Sequence, residues 1–363
     1  MKFTFANMGN YTPALKQLLE RFGLEVILPE ATNPRAIEEG ARLSPELFCL
    51  PLKVNIGNYL GALKKGAETI LMWENIGGSC RLRYYWLVQE KILREAGFNV
   101  KVWNLSSSNL ISRFWEIKKA NRIPLFKTLS AICLLFKEIS FIEKIEQKAQ
   151  YFRPREKKRG ETEKIFNKIL EKIKEVKNFK ELAGLKKEAD RKFAEIELDR
   201  AKEILRIGLV GEIYTLVDGA ANHGMERKLG EMGAEVHRKL NISQFVKDGL
   251  FPWREWQLQR KINSYLGSTV GGHGRQAIGE ILDFAKEGFD GVIQLLPFGC
   301  LPEVTVRPIL QKISQEKKIP FLSVSLDEQT AEAGIQTRLE AFIDLLWSRR
   351  KMNKSVVLTT VSL

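Results

Sequence analysis

Short apolar runs alternate with amphipathic stretches in the first and last thirds of the chain, and the middle third lacks the runs. In residues 1–105, the runs at 3–7, 25–28, 69–73 and 99–103 read as strands. The helical periodicity of 13–22, 50–67 and 81–96 falls between them. Residues 206–363 return to this alternation, with strands expected at 207–211, 235–238, 291–296 and 321–325. Helices are expected there at 224–232, 251–266, 276–287, 304–313 and 335–346. Strands alternating with helices predict parallel sheets joined by right-handed crossovers. Residues 106–205 predict helices alone, broken near Ile123-Pro124, at Arg153-Pro154-Arg155, at Gly160 and at Gly184. The expected fold class is therefore α/β, with two Rossmann-like lobes (1–105 and 206–363) and an intervening basic helical segment, 106–205. No residue-level repeat relates the two lobes.

Composition sharpens this only in part. With 363 residues, 44% hydrophobic and 28% charged, the chain is long enough for two or three cores and reads as globular. The net charge is +14, and most of the excess lies in 101–205, which hold 26 Lys and Arg against 16 Asp and Glu. The signs there are mixed at helical spacing, as in Glu171-Lys172-Ile173-Lys174-Glu175-Val176-Lys177, the mark of a solvated helix face. Nucleic acid is therefore a poor partner for it. An acidic protein, or a phosphorylated ligand such as a coenzyme A ester, suits the charge better. No stretch has the length of a membrane span, and the first residues lack a signal-peptide layout, so a cytoplasmic protein is expected. Four cysteines make no disulfide scaffold at this length, and a reducing compartment keeps them as thiols.

Three of those cysteines share one setting: Cys49, Cys80 and Cys300 each end a loop just before a helical pattern, beside Gly or Pro. Long spacers separate them and no Cys-x-x-Cys occurs, which excludes a local zinc finger or ferredoxin-type run. Loops at the carboxyl ends of parallel strands gather at one sheet edge, so distant thiols can still meet across a cleft between lobes. Helix N-termini would lower their pKa and stabilise an anionic iron–sulfur cluster. The competing reading is three unrelated core or loop cysteines. Cys133 lies in the apolar run 129–136 and is expected to be an inert core thiol.

Several motifs resemble the activase-related relatives of the 2-hydroxyacyl-CoA dehydratases. They are Cys49-Leu50-Pro51-Leu52-Lys53, Gly77-Gly78-Ser79-Cys80-Arg81-Leu82-Arg83-Tyr84-Tyr85, Gly208-Leu209-Val210-Gly211-Glu212-Ile213-Tyr214 and Gly271-Gly272-His273-Gly274. Gln294-Leu295-Leu296-Pro297-Phe298-Gly299-Cys300-Leu301-Pro302-Glu303 and Thr337-Arg338-Leu339-Glu340-Ala341-Phe342 complete the set. The resemblance spans both lobes and is weak over 106–205. It implies a 4Fe–4S cluster on Cys49, Cys80 and Cys300, alone or fused and shared across a homo- or heterodimer. It also implies an ATP-dependent activator of the actin/sugar-kinase fold that supplies a low-potential electron, and an acyl-CoA substrate whose thioester becomes a ketyl radical. The chain has neither an ATPase segment nor a Gly-x-x-x-x-Gly-Lys-Ser/Thr phosphate loop, so hydrolysis would fall to that partner. The rival roles are a small-molecule reductase on a double-cubane cluster and a non-catalytic electron-transfer or scaffold subunit.

Other residues invite narrower expectations. His273 is the candidate catalytic group, a proton donor or a hydrogen-bond donor to a thioester carbonyl, against a structural histidine in a tight turn. Arg81 is a candidate for pairing with cluster or phosphate charge, against an ordinary first-turn residue. Glu212 is expected to cap a helix, and Glu303 to be a favourable first-turn carboxylate. Arg338 is expected to tie the lobes by an ion pair. Arg153-Pro154-Arg155 is read as a solvated loop, and His223 and His237 as structural.

Overall fold

The structure, a computed structural model, describes residues 1–73, 80–106, 112, 115–117, 121 and 123–361. The stretch Gly77-Gly78-Ser79 lies outside the described residues. Strands β1 (Lys2–Phe5), β2 (Glu25–Val26), β3 (Thr69–Trp73) and β4 (Lys101–Leu105) form one parallel sheet in the order β2-β1-β3-β4. Strands β5 (Leu205–Gly211), β6 (Ala234–Arg238), β7 (Gly291–Pro297) and β8 (Phe321–Leu326) form a second, in the order β6-β5-β7-β8. Two all-parallel sheets bear out the α/β expectation. Their strand orders are also the same, a likeness of topology beyond shared architecture.

Helices α1 (Thr12–Arg21), α2 (Pro34–Leu43), α3 (Leu50–Lys64) and α4 (Tyr85–Glu95) belong to the first sheet. Helices α5 (Leu125–Phe152), α6 (Glu161–Ile173) and α7 (Phe179–Ala194) form the middle. Around the second sheet follow α8 (Ile213–Val217), α9 (Met225–Glu231), α10 (Ile242–Leu250), α11 (Pro252–Ile262), α12 (Gly274–Lys286), α13 (Leu301–Lys317) and α14 (Glu332–Val361). Gly184 is no break; it sits inside α7, exposed and touching nothing, where a glycine costs only about 1 kcal/mol. The interruption before α7 is at Asn178, whose side chain accepts from the Glu181 amide at 3.0 Å. Helices α2 and α10, which the apolar pattern missed, begin the same way at Asn33 and Asn241.

Helix α3 is buried almost end to end and crosses α2 at backbone contact. A Cβ on Gly40 would lie 1.9 Å from the Lys53 carbonyl oxygen, and one on Gly57 would lie 1.8 Å from that of Ala36. This crossing fixes the start of α3, where Cys49 stands. One apolar core runs through all three parts of the chain, joining Tyr11, Leu50 and Val54 to Ile142 and Ile145 of α5 and to Leu209, Leu295 and Val324 of the second sheet. Polar groups cross the same boundary. Asp218 accepts from Asn7 at 3.1 Å and from Thr32 at 2.5 Å, and Glu146 accepts from Asn10 and Tyr11, each at 2.8 Å. Arg238, on β6, pairs with Glu146 at 2.7 Å. The Lys53–Glu328 ion pair is buried on its lysine side. Among the described residues no helix is long and apolar enough to cross a membrane.

Candidate functional site

Cys49, Cys80 and Cys300 occupy one structural position. Each is the N-cap of a helix: Cys49 of α3, Cys80 of the 3-10 turn Arg81–Tyr84 that leads into α4, and Cys300 of α13. All three backbones are extended there, and among the described residues no thiol makes a capping hydrogen bond. The same tripeptide, Cys-Leu-Pro, opens α3 and α13, with proline in the first turn, where its missing amide costs nothing. Topology relates the sites further. Cys80 and Cys300 follow the corresponding strands β3 and β7, and the helix leading into β7 is capped by His273, as Cys49 caps the helix leading into β3.

The three loops meet. The Leu50 amide donates to the Phe298 carbonyl at 3.3 Å, and a Cβ on Gly299 would lie 3.4 Å from the Cα and N of Cys49. Arg81 donates from Nη2 to the Gly299 carbonyl at 2.7 Å and stacks over Phe48. It thus ties the Cys80 turn to the Cys300 loop and is no ordinary first-turn surface residue. Gly272, at φ +51°, closes the ring, because a Cβ there would lie 2.8 Å from Pro302 Cγ and 4.0 Å from Cys80 Sγ.

Cys300 is buried, while Cys49 and Cys80 are partly exposed. Burial pushes the Cys49 thiol up to about 12, against the Tyr85 hydroxyl at 2.8 Å from its Sγ. Burial also raises Cys80, and raises Cys300 still more strongly, with Glu303, Glu212 and Cys49 adding to it. Left to themselves the thiols are therefore neutral. The carboxylates are equally confined. Glu212 caps α8 as expected, accepting from the Tyr214 amide at 2.9 Å and the Thr215 amide at 3.0 Å, and burial raises its pKa. Glu303 stands in the first turn of α13 as expected, but it is fully buried, accepts from Gln294 Nε2 at 2.9 Å, has no partner for Oε1 among the described residues, and is pushed up by burial to about 7. The unpaired oxygen and the elevated pKa mark a group that the sequence reading passed over as a helix-end charge.

His273 is buried, its pKa pulled down to about 4 by that burial, and its ring packs against Phe245 with centroids 5.7 Å apart. It is neutral at ordinary pH. Exposed apolar side chains, among them Leu47, Tyr84, Phe298 and Leu301, belong to the loops that carry the thiols. Among the described residues, no three His, Cys, Asp or Glu side chains stand as a ready ligand set for a metal ion. The donor chemistry nevertheless suits a thiolate-bound cluster: soft sulfur ligands, with glycine backbone beside two of them.

Three expectations need correction. Cys133 is exposed on α5, because the helix turns its other faces to the core and leaves that one outside. Arg338 is exposed and ties no lobes; no ion pair involves it among the described residues. Arg153 and Arg155 are not a free loop: Arg153 is buried against Glu163 at 2.8 Å, and Arg155 meets Glu235 at 2.5 Å.

The architecture thus defines an α/β protein of two parallel sheets in which the loops of Cys49, Cys80 and Cys300, each a helix N-cap, touch one another. Residues 268–346 match the family model of the 2-hydroxyglutaryl-CoA dehydratase D-component, a stretch that includes His273 and Cys300. Over that segment the chain is similar to the D-component, and the motifs at 271–274, 294–303 and 337–342 fall within it. No curated protein matches the chain.

Proposed function

We propose that the chain is a 2-hydroxyacyl-CoA dehydratase-like subunit that holds an iron–sulfur cluster on Cys49, Cys80 and Cys300. The observation that carries this reading is the contact of the three loops through Gly299, Arg81 and Gly272. The D-component match over 268–346 supports it. When bound, a 4Fe–4S cluster with three protein ligands supplies one-electron chemistry at an open iron. In this reading the electron comes from an ATP-dependent activator of the actin/sugar-kinase fold, and the substrate is an acyl-CoA.

This chain's own residues have separate tasks. The thiols bind, which requires Cys49 to leave the Tyr85 hydroxyl. Arg81 positions two of the loops against each other by its bond to the Gly299 carbonyl. Neutral His273 offers a hydrogen bond rather than a charge. The lobes are 1–105 and 206–363, with 106–205 as their helical connection.

The test is anaerobic purification or reconstitution, with iron and sulfide counts per chain and paramagnetic resonance of the reduced protein. Cys49→Ser, Cys80→Ser and Cys300→Ser are expected to lose iron, and Cys133→Ser to keep it. Iron binding that ignores all three substitutions, or no iron under reconstitution, removes the cluster and the reading with it.

A further inference from the structure

The solvent face of the N-terminal half of α5 is apolar where a solvated helix should be polar. Phe126, Leu129, Cys133 and Phe136 all lie on it, and Phe126 is 81% exposed and Leu129 55%. Their spacing is three, four, three, the rhythm of side chains that fit as knobs between those of a facing helix. The charges that α5 itself exposes have one sign. All three acidic residues of α5, Glu138, Glu143 and Glu146, are buried, while Lys127, Lys137 and Lys144 are exposed. Lys186 of α7 sits near enough to Lys137 and Lys144 for their charges, with burial, to depress its pKa. Lys137 also lies over the ring of the half-exposed Phe179, so the apolar ridge and the cationic border form one surface.

We propose that this face of α5 docks an amphipathic helix of another protein, one with an apolar seam flanked by Asp and Glu. Charge selects that occupant. Two copies of this chain paired along the ridge would bring lysine rows together, and like charges at such positions oppose pairing. A lipid surface suits the sign, but interfacial helices bury a broad apolar face, and α5 offers one ridge with its remaining sides in the core. The proposal is independent of the cluster assignment, since neither α5 nor α7 contributes to the thiol site.

The experiment uses the full chain and a fluorescein-labelled helical peptide with leucines at heptad a and d positions and glutamates at e and g. A second peptide carries lysines at e and g instead. Anisotropy should show the glutamate peptide binding at least about tenfold more tightly than the lysine peptide. The bound glutamate peptide should shield Cys133 from maleimide. Leu129→Glu, an exposed position that leaves the melt unchanged, should weaken binding by about tenfold or more. The double variant Lys137→Glu with Lys144→Glu should reverse the preference. Equal binding of both peptides overturns the proposal, as does binding that Leu129→Glu leaves intact. A dimer dissolved by Leu129→Glu would assign the face to a second copy. Co-sedimentation with phosphatidylserine vesicles, lost in the same variant and without peptide binding, would assign it to lipid.

Discussion

Substituting Gly272 by alanine probes the convergence of the thiol loops more directly than any cysteine change. The residue sits at φ +51°, and its missing Cβ would fall 2.8 Å from Pro302 Cγ and 3.1 Å from Pro302 Cβ. Left-handed backbone costs a non-glycine residue about 1–2 kcal/mol. Forcing an atom into a filled contact adds about 1–3 kcal/mol, because the proline ring, unlike the tip of a long side chain, has little freedom to yield. The expected loss is therefore about 2–5 kcal/mol. Gly288 supplies the control: it has φ +70° with nothing within 4 Å, so Gly288→Ala should lose only the backbone contribution of about 1–2 kcal/mol. Urea melts of the metal-free proteins give both values from the midpoint shift at unchanged slope. The Gly272 variant should also expose Cys80 to a thiol reagent faster and retain less iron. Equal costs for the two variants would show that Pro302 does not close against this loop, and the convergence argument would fail.

Three further outcomes are expected. Arg238→Met strands the buried carboxylate Glu146, to which Arg238 is bonded at 2.7 Å, and should cost about 3–5 kcal/mol in urea. Adding Glu146→Gln should recover a good part of that, and full additivity of the two losses would contradict the pairing. His273 stays neutral in the native state down to about pH 4, while in the unfolded chain it protonates near 6.5. Between those values the unfolded state binds more protons, so His273 makes stability fall with acidification, by at most about 3 kcal/mol. His273→Gln should flatten that part of the profile, and an unchanged slope refutes it. Glu280 has the opposite sign: burial raises it to about 8, so the native state binds the extra proton and stability falls as pH climbs from 4.5 to about 8. Glu280→Gln should make the protein more stable than the parent at pH 8.5, as read by thermal melts.

What the sequence made legible follows from which signals are local. Strands such as 207–211 and 291–296 are apolar nearly throughout, Gln294 being the one polar residue, because both faces of a parallel sheet are covered, and they were found nearly to the residue. The helix starts at Asn33, Asn178 and Asn241 were missed because apolar periodicity alone was weighed at those positions and their side-chain caps were not. Gly184 misled in the other direction, since an exposed glycine can sit within a helix whose other face is packed. The shared setting of Cys49, Cys80 and Cys300 was visible, and all three proved to be N-caps. The repeated Cys-Leu-Pro was not read as a repeat, since a tripeptide becomes one only when the two sheets show the same strand order. Burial was the least legible quantity. The run around Cys133 is apolar on nearly every face, and nothing local says which face the core takes. The burial of Glu303 depends on β7 and on Gln294, and the span of Arg81 on a loop distant in sequence.

The unbroken apolar core from Tyr11 through α5 to Val324 constrains how anything gains admission to the sulfur atoms. Domains that swing like jaws need a seam of few contacts, and among the described residues this apolar cluster, though distinct from the cores on the first sheet and beneath α12 and α13, ties α1 and the start of α3 to the second sheet. Traffic at the thiols is therefore expected to depend on side chains of their own loops, the exposed Leu47 and Phe298 among them.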